Sequence, residues 1–182
     1  QEGQATTTGY MLFKRFNRSI SKTSPGVASQ NRPSIIFRLA DFYLIYAEVA
    51  NEVNPSDSRV LTYLNLVRER AGLPKVEVLN PGIVGNKELQ RAAIQRERQI
   101  ELATEGQRYF DVRRWMIADK DGEGRQNGYA HGMNVRGTIN DTEEFNRVVE
   151  TEKIVFNRKM YLQPIPDHEM RKTQNLVQNP GW

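Results

Sequence analysis

The sequence predicts an all-α fold: tetratricopeptide-like helix pairs with long irregular loops and at most a short β-hairpin. Three observations carry that reading. Apolar residues recur at helical spacing through several long stretches. Two of these are joined by a short link, as in an antiparallel helix hairpin. Period-two alternation is confined to Ile154 and Phe156. The tetratricopeptide repeat's own residue signature is absent, so the likeness rests on the pairing of helices alone.

Residues 1–33 hold no sustained helical period, and Ser24-Pro25-Gly26 is turn chemistry, so an extended lead-in is expected before a helical domain over 34–182. Helix signals begin near Pro33-Ser34. Leu39, Phe42, Tyr43, Tyr46, Val49, Ala50 and Val53 form an i, i+3, i+4, i+7 stripe, and Ile36, Leu44, Ile45 and Ala47 add apolar residues on other sides. A helix this apolar all round belongs in the middle of a helical stack. Asn54-Pro55 reads as an N-cap with proline in the next helix's first turn. That helix carries Val60, Leu61, Leu64, Val67 and Ala71, with Gly72 as its left-handed terminator, Leu73 in contact and Pro74 forbidding continuation. After a Pro/Gly-rich link over 74–85, Asn86 caps a long helix bearing Leu89, Ala93, Ile100 and Ala103, interrupted by Gly106. A short helix follows with Tyr109, Phe110, Val112, Met116 and Ile117. Residues 119–147 read as a long loop with five glycines, 154–156 as a short strand, Tyr161 to Pro166 as extended and 167–172 as a last short helix.

Composition narrows the function. With 38% hydrophobic and 26% charged residues, the 182-residue chain has a globular make-up and room for one ordinary core. No run reaches the ~18 apolar residues of a membrane span, and the polar start over 1–10 carries no signal-peptide pattern. The chain does not open on Met, which reads as a processed product or an excised piece. The absence of cysteine excludes disulfides, thiolate metal sites and Cys nucleophiles. The net charge of +4 is local. Residues 1–40 hold six basic side chains against Glu2 alone, and the remaining twenty basic residues face twenty-one acidic ones. That distribution argues against a nucleic-acid-binding face.

Glu97, Glu101 and Glu105 stand at i, i+4 and i+8 near a helix C-terminus, where like charges and the helix dipole both disfavour them. Compensating cations lie nearby in Arg96, Arg98, Arg108, Arg113 and Arg114, Arg108 foremost, so a structural ion network of Glu97, Glu101, Glu105 and Arg108 is expected. Glycosidic acid/base work would need one carboxyl with a raised pKa, and surrounding arginines act the other way. A dinuclear metal site would want Glu-x-x-His, and His131 and His168 stand in no such pattern. Asp119-Lys120-Asp121-Gly122-Glu123-Gly124 begins like a calcium loop, but its twelfth position is Ala130. No phosphate loop or nucleophile elbow is visible. No catalytic residue, metal or cofactor is therefore assigned. Tyr43, Tyr46, Phe110 and Trp115 read as core by their helical spacing. Tyr129 and His131, planar groups in a glycine-rich stretch with little core to join, are the candidate ligand contacts.

Four blocks now in view resemble the SusD/RagB family. Arg38-Leu39-Ala40-Asp41-Phe42-Tyr43-Leu44-Ile45-Tyr46-Ala47-Glu48 is similar to its central helix, and Leu64-Asn65-Leu66-Val67-Arg68-Glu69-Arg70-Ala71-Gly72-Leu73-Pro74 to the next helix and its stop. The strongest block runs from Glu97-Arg98-Gln99-Ile100-Glu101 through Gly106-Gln107-Arg108-Tyr109-Phe110-Asp111 to Arg114-Trp115. Leu162-Gln163-Pro164-Ile165-Pro166 and Gln178-Asn179-Pro180-Gly181-Trp182 look like its C-terminal signature, departing at Thr173-Gln174, a turn. The resemblance implies the C-terminal portion of a largely helical, non-enzymatic nutrient-binding lipoprotein. Such proteins sit on the extracellular face of the outer membrane in Bacteroidetes-type bacteria. They cap a SusC-like TonB-dependent transporter and deliver oligosaccharides, or in some members peptides. The implied partners are that transporter, the glycan or peptide, and the remainder of a full-length SusD-like chain. A helical scaffold docking a partner protein is the reading from another class. The shared blocks are framework and carry over no ligand contact.

Overall fold

A computed structural model of the protein describes residues 9, 10, 12, 14, 35–120, 128–135, 142–146 and 148–182. The chain divides into two compact units, one of residues 32–111 and one of residues 1–31 with 112–182.

The 32–111 unit is built on helices α1 (Leu39–Val53), α2 (Arg59–Arg70), the short α3 (Val76–Leu79) and α4 (Lys87–Glu101). α1 and α2 are antiparallel. The Tyr46 ring lies 4.5 Å from that of Tyr63 near the middle of the pair, while Arg38, just before α1, and Arg70, the last residue of α2, meet on Glu101 at one end. α1 and α4 are antiparallel as well, since Arg98 reaches Asp41 and the Asn51 amide donates to the Lys87 carbonyl at 3.0 Å. Leu44 and Ala47 of α1 close a core with Val60, Leu64 and Val67 of α2 and Ile94 of α4. α2 stops where Gly72 takes φ +76°. There the Gly72 N–H donates to Glu69 at 3.0 Å and the Leu73 N–H to Arg68 at 2.9 Å, the paired bonds of a Schellman termination. Asn86 caps α4, its side-chain oxygen accepting from the Leu89 N–H at 3.2 Å.

Several expectations are corrected. α1 begins at Leu39, after an extended Arg38; Pro33-Ser34, where the helix signals begin, lie outside the described residues. Its inward face is Ala40, Asp41, Leu44, Ala47 and Asn51; Leu39, Phe42, Tyr46, Val49 and Val53 of the predicted stripe point outward. Asp41 tolerates burial because Arg98 supplies its hydrogen bond, and the buried Asn51 donates its amide to the Lys87 carbonyl. Asn54-Pro55 does not start α2. Asn54 closes α1, its N–H donating to Ala50 and its side-chain oxygen accepting from Ser56, and Ser58 stands before Arg59 instead. The 74–85 link contains α3 and a 3₁₀ turn at Pro81–Ile83. Asn65 pins α3 by accepting from the Val76 N–H and donating to Glu77. Glu105 lies beyond the end of α4, so the three glutamates do not share one helix face.

A helix α5 (Gln107–Arg114) carries the chain across the division between units. In the second unit Val112, Ile117, Ala118 and Phe156 form a small core flanked by Trp115, Met160 and Tyr161. The stretch read as one loop over 119–147 holds strand β1 (Gly128–Met133) and helix α6 (Thr142–Asn146). Strand β2 (Val148–Ile154) pairs antiparallel with β1, with a register shift between Ala130 and His131. The expected strand is thus longer and earlier, and Phe156 lies beyond it in the core. Tyr161 ends a 3₁₀ turn (Arg158–Tyr161) and is not extended, and α7 (Asp167–Met170) follows.

The last residues clasp the segment before α7. Gln178 both accepts from the Ile165 N–H at 2.8 Å and donates to the Ile165 carbonyl at 2.9 Å. Asn179 donates to Gln163, and the Trp182 indole N–H is shared between the carbonyls of Lys159 and Leu162 at 3.0 and 3.1 Å. The Lys159 ammonium sits 4.3 Å from the Trp182 ring centroid. Gly181 is required there: its φ is +87°, and a Cβ would fall 2.9 Å from that of Lys159. The two halves of the C-terminal signature are therefore one structural device.

Candidate functional site

The acidic residues of the 97–105 stretch face guanidinium groups. Arg68 donates to Glu97 at 2.9 Å. Arg38 places Nη1 on Glu101 at 2.5 Å and forks Nε and Nη2 onto Glu105 at 2.7 and 2.9 Å. Its Nη2 also reaches the Glu101 backbone carbonyl at 2.6 Å, and Arg70 joins Glu101 from α2. The Glu105 carboxylate, with Glu101 adding to it, holds the Arg38 guanidinium above its ordinary pKa against the opposing effect of burial. These glutamates are turned inward, with side chains 5–11% exposed, so their lone pairs serve the guanidinium forks and not a cleft. Arg108, the expected partner, is half-buried in the first turn of α5.

A more deeply buried centre lies beside them. Arg98 donates through Nε to Asp111 at 2.9 Å and through Nη1 to Asp41 at 2.8 Å, with all three side chains no more than 5% exposed. It ties α1 and α4 to Asp111 of α5. Sequence reasoning missed Arg38, Arg68, Arg70, Asp41 and Asp111 as members of this framework. The available signal was Asp41 itself, a carboxylate interrupting an apolar helix, which implies a buried cation.

Tyr129 and His131 both stand on β1, a paired strand and not an irregular loop. Tyr129 is opposite Lys153 and His131 opposite Glu150 across the register shift, which leaves Thr151 without a partner residue on β1. His131, Glu150, Glu152 and Lys153 are exposed, so the hairpin presents charge of both signs around the imidazole. The side chain of Tyr129 lies outside the described residues. The end of β1 is closely approached by the lead-in: Gly9, at φ +72°, would bring a Cβ within 2.9 Å of Met133.

Of the aromatics read as core, Tyr43 and Trp115 are half-buried, while Phe110 is 64% exposed and Tyr46 also lies on the surface. The Tyr46 hydroxyl accepts from Arg59 at 2.8 Å. The calcium-like stretch opens on Asp119, whose carboxylate accepts from the Tyr161 hydroxyl at 2.5 Å. That bond holds Asp119 below its ordinary pKa, and burial, then the carboxylate, push the Tyr161 phenol up. Residues 121–127 of this stretch lie outside the described residues. Among the described residues no group of three or more His, Asp or Glu side chains could hold a metal ion.

The SusD family model matches residues 1–182. SusD-like protein P25 of Formosa agariphila is 44% identical over 106 residues, covering 58% of this chain and 19% of that protein. SusD-like protein P2 of the same organism is 31% identical over 153 residues, covering 81% and 26%. A crystallised SusD-like protein from Bacteroides fragilis superposes with a TM-score of 0.64 at 31% identity, over 82% of this chain and 26% of that one. The chain therefore spans about a fifth to a quarter of the length of these relatives. With the whole sequence matched and the helical framework shared, the chain belongs to the SusD family.

Proposed function

We propose that this chain is part of a non-catalytic nutrient-binding protein on the extracellular face of an outer membrane, held there by a lipid anchor. It captures an oligosaccharide and passes it to a SusC-like TonB-dependent transporter. The observation that carries the reading is the match of the SusD family over residues 1–182. The inward-facing, guanidinium-bound glutamates are consistent with it, because they stabilise helices and offer no acid/base pair to a substrate. Tyr129 and His131 are the proposed ligand contacts, His131 being an exposed planar group on a paired strand, suited to stacking and hydrogen bonding with a sugar ring. A peptide ligand is the second reading, favoured by the exposed Glu150, Glu152 and Lys153 opposite that strand.

Calorimetry of the family-length protein against glycan and peptide panels, with product analysis, tests the proposal. Binding without cleavage is expected. Tyr129→Ala is expected to weaken that binding about tenfold or more while Tm stays within about 2 °C. Sustained turnover that Glu101→Gln abolishes without unfolding overturns the non-catalytic reading, and selective binding of peptides overturns the glycan assignment.

A further inference from the structure

Two neutral amides are buried where α1 stops and α4 starts. Asn51, in the last turn of α1, is 0% exposed, and Gln90, in the first turn of α4, is 1% exposed. Each spends its nitrogen on backbone. Asn51 Nδ2 donates to the Lys87 carbonyl at 3.0 Å. Gln90 Nε2 uses both hydrogens, on the Pro55 carbonyl at 3.0 Å and the Ile83 carbonyl at 3.1 Å. The amide oxygens are left over: among the described residues neither Asn51 Oδ1 nor Gln90 Oε1 has a donor. Turning either amide over would set its oxygen against a carbonyl oxygen, so both orientations are fixed by partners that can only accept. The inner neighbours offer nothing, since Ala47 and Ile94, one turn further into the core on α1 and α4, are apolar and fully buried. The two amides also share one joint. Asn51 is bonded to Lys87, one turn before Gln90, and Gln90 to Pro55, one turn after Asn51.

We infer that Asn51 Oδ1 and Gln90 Oε1 together bind one buried water molecule, which donates a hydrogen to each and bridges the end of α1 to the start of α4. Water is the occupant the chemistry selects. It carries two donors for two waiting acceptors, and a buried acceptor left without a donor costs what a lost hydrogen bond costs. Interior waters serve such groups, each with about two to four hydrogen bonds. A metal cation matches less well, because hard cations gather about six or more oxygens. The carboxylate of Glu52, next in sequence to Asn51, is already taken by Arg91 and Lys87. The α1–α4 joint is then closed in part by solvent, continuous with the Gln90 bonds that hold the Pro81–Ile83 turn.

Rotating-frame Overhauser spectra of the nitrogen-labelled protein test this. Cross-peaks from the water resonance to the side-chain amide protons of both Asn51 and Gln90 are expected, with the sign of dipolar contact and not of proton exchange. Two variants each remove one acceptor: Asn51→Leu is read at Gln90, and Gln90→Met at Asn51. In either one that keeps a folded amide spectrum, the remaining cross-peak is expected to disappear, because one water serves both oxygens. No dipolar cross-peak in the unsubstituted protein, or peaks of exchange sign only, overturns the inference. A peak that survives in a folded variant overturns the shared water in favour of separate ones. A Tm that is higher in sodium or potassium chloride than in choline chloride of equal ionic strength overturns it in favour of a cation.

Discussion

Met116 adopts φ +53° with its side chain 48% exposed, in the position after α5 that glycine usually fills. Its N–H donates to Arg113 at 2.9 Å and the Ile117 N–H to Val112 at 3.0 Å, the same pair of bonds that ends α2 at Gly72. A side chain in the left-handed region costs about 1–2 kcal/mol, and glycine returns part of that as entropy of the unfolded chain. Met116→Gly is therefore expected to raise the unfolding free energy by about 0.5–1 kcal/mol in urea denaturation, and Gly72→Ala, where no neighbour would meet the new methyl, to lower it by about 1 kcal/mol. A destabilised Met116→Gly would show that the thioether makes a contact worth more than the strain. Arg98 is the opposite case, a residue whose removal strands its partners. Arg98→Met leaves Asp41 and Asp111 buried without their guanidinium, and a loss of about 3–5 kcal/mol is expected. Adding Asp41→Asn and Asp111→Asn should recover most of it, which separates an uncompensated charge from lost packing.

Between elements, α1 and α4 are held at the far end from Arg98 by Glu52. Arg91 forks onto its carboxylate at 2.6 and 2.8 Å with Lys87 beside it, and these bonds lower the Glu52 pKa from 4.5 to about 2. A depressed carboxylate contributes stability above its unfolded pKa and loses it as pH falls toward the folded one, so the window runs from about pH 4.5 down to about 2. With Glu52 41% exposed, solvent screening limits the contribution to about 1 kcal/mol or less. Glu52→Gln should flatten the decline of Tm across that window; an unchanged pH profile would assign the decline to other carboxylates. The clasp gives a further test, since Gln178→Ala removes both bonds to Ile165. Amide exchange at 159–166 is expected to quicken by about tenfold or more, as for a local opening, with the α1, α2 and α4 amides unchanged. The local chemistry that ends helices was readable directly: Gly72-Leu73-Pro74 and the Asn86 cap lie where their residue types put them. The orientation of α1 was not. Local periodicity cannot choose between two apolar seams, and the choice fell to partners distant in sequence, Arg98 and Lys87. β1 was hidden for a similar reason, because Gly128 and Gly132 weaken any strand signal and its register is set by β2.

At the level of the molecule, the SusD assignment was legible in four framework blocks, and the structure gives each a physical task. Those blocks carry over no ligand contact, and Tyr129 and His131, the proposed contacts, stand outside them on a hairpin whose pairing no local pattern announces. The clasp also bears on the order of events during synthesis. Domains assemble as the chain emerges, earlier segments first, and the groups that close 159–166 are made after that segment. Gln163 and Ile165 are translated before Gln178, Asn179 and Trp182, so their backbone groups must wait in water until those three residues leave the ribosome. Stalled nascent chains ending before Gln178 should thus remain open to protease at 159–166, even where α1, α2 and α4 have already become resistant, and emergence of Gln178, Asn179 and Trp182 should shut that window.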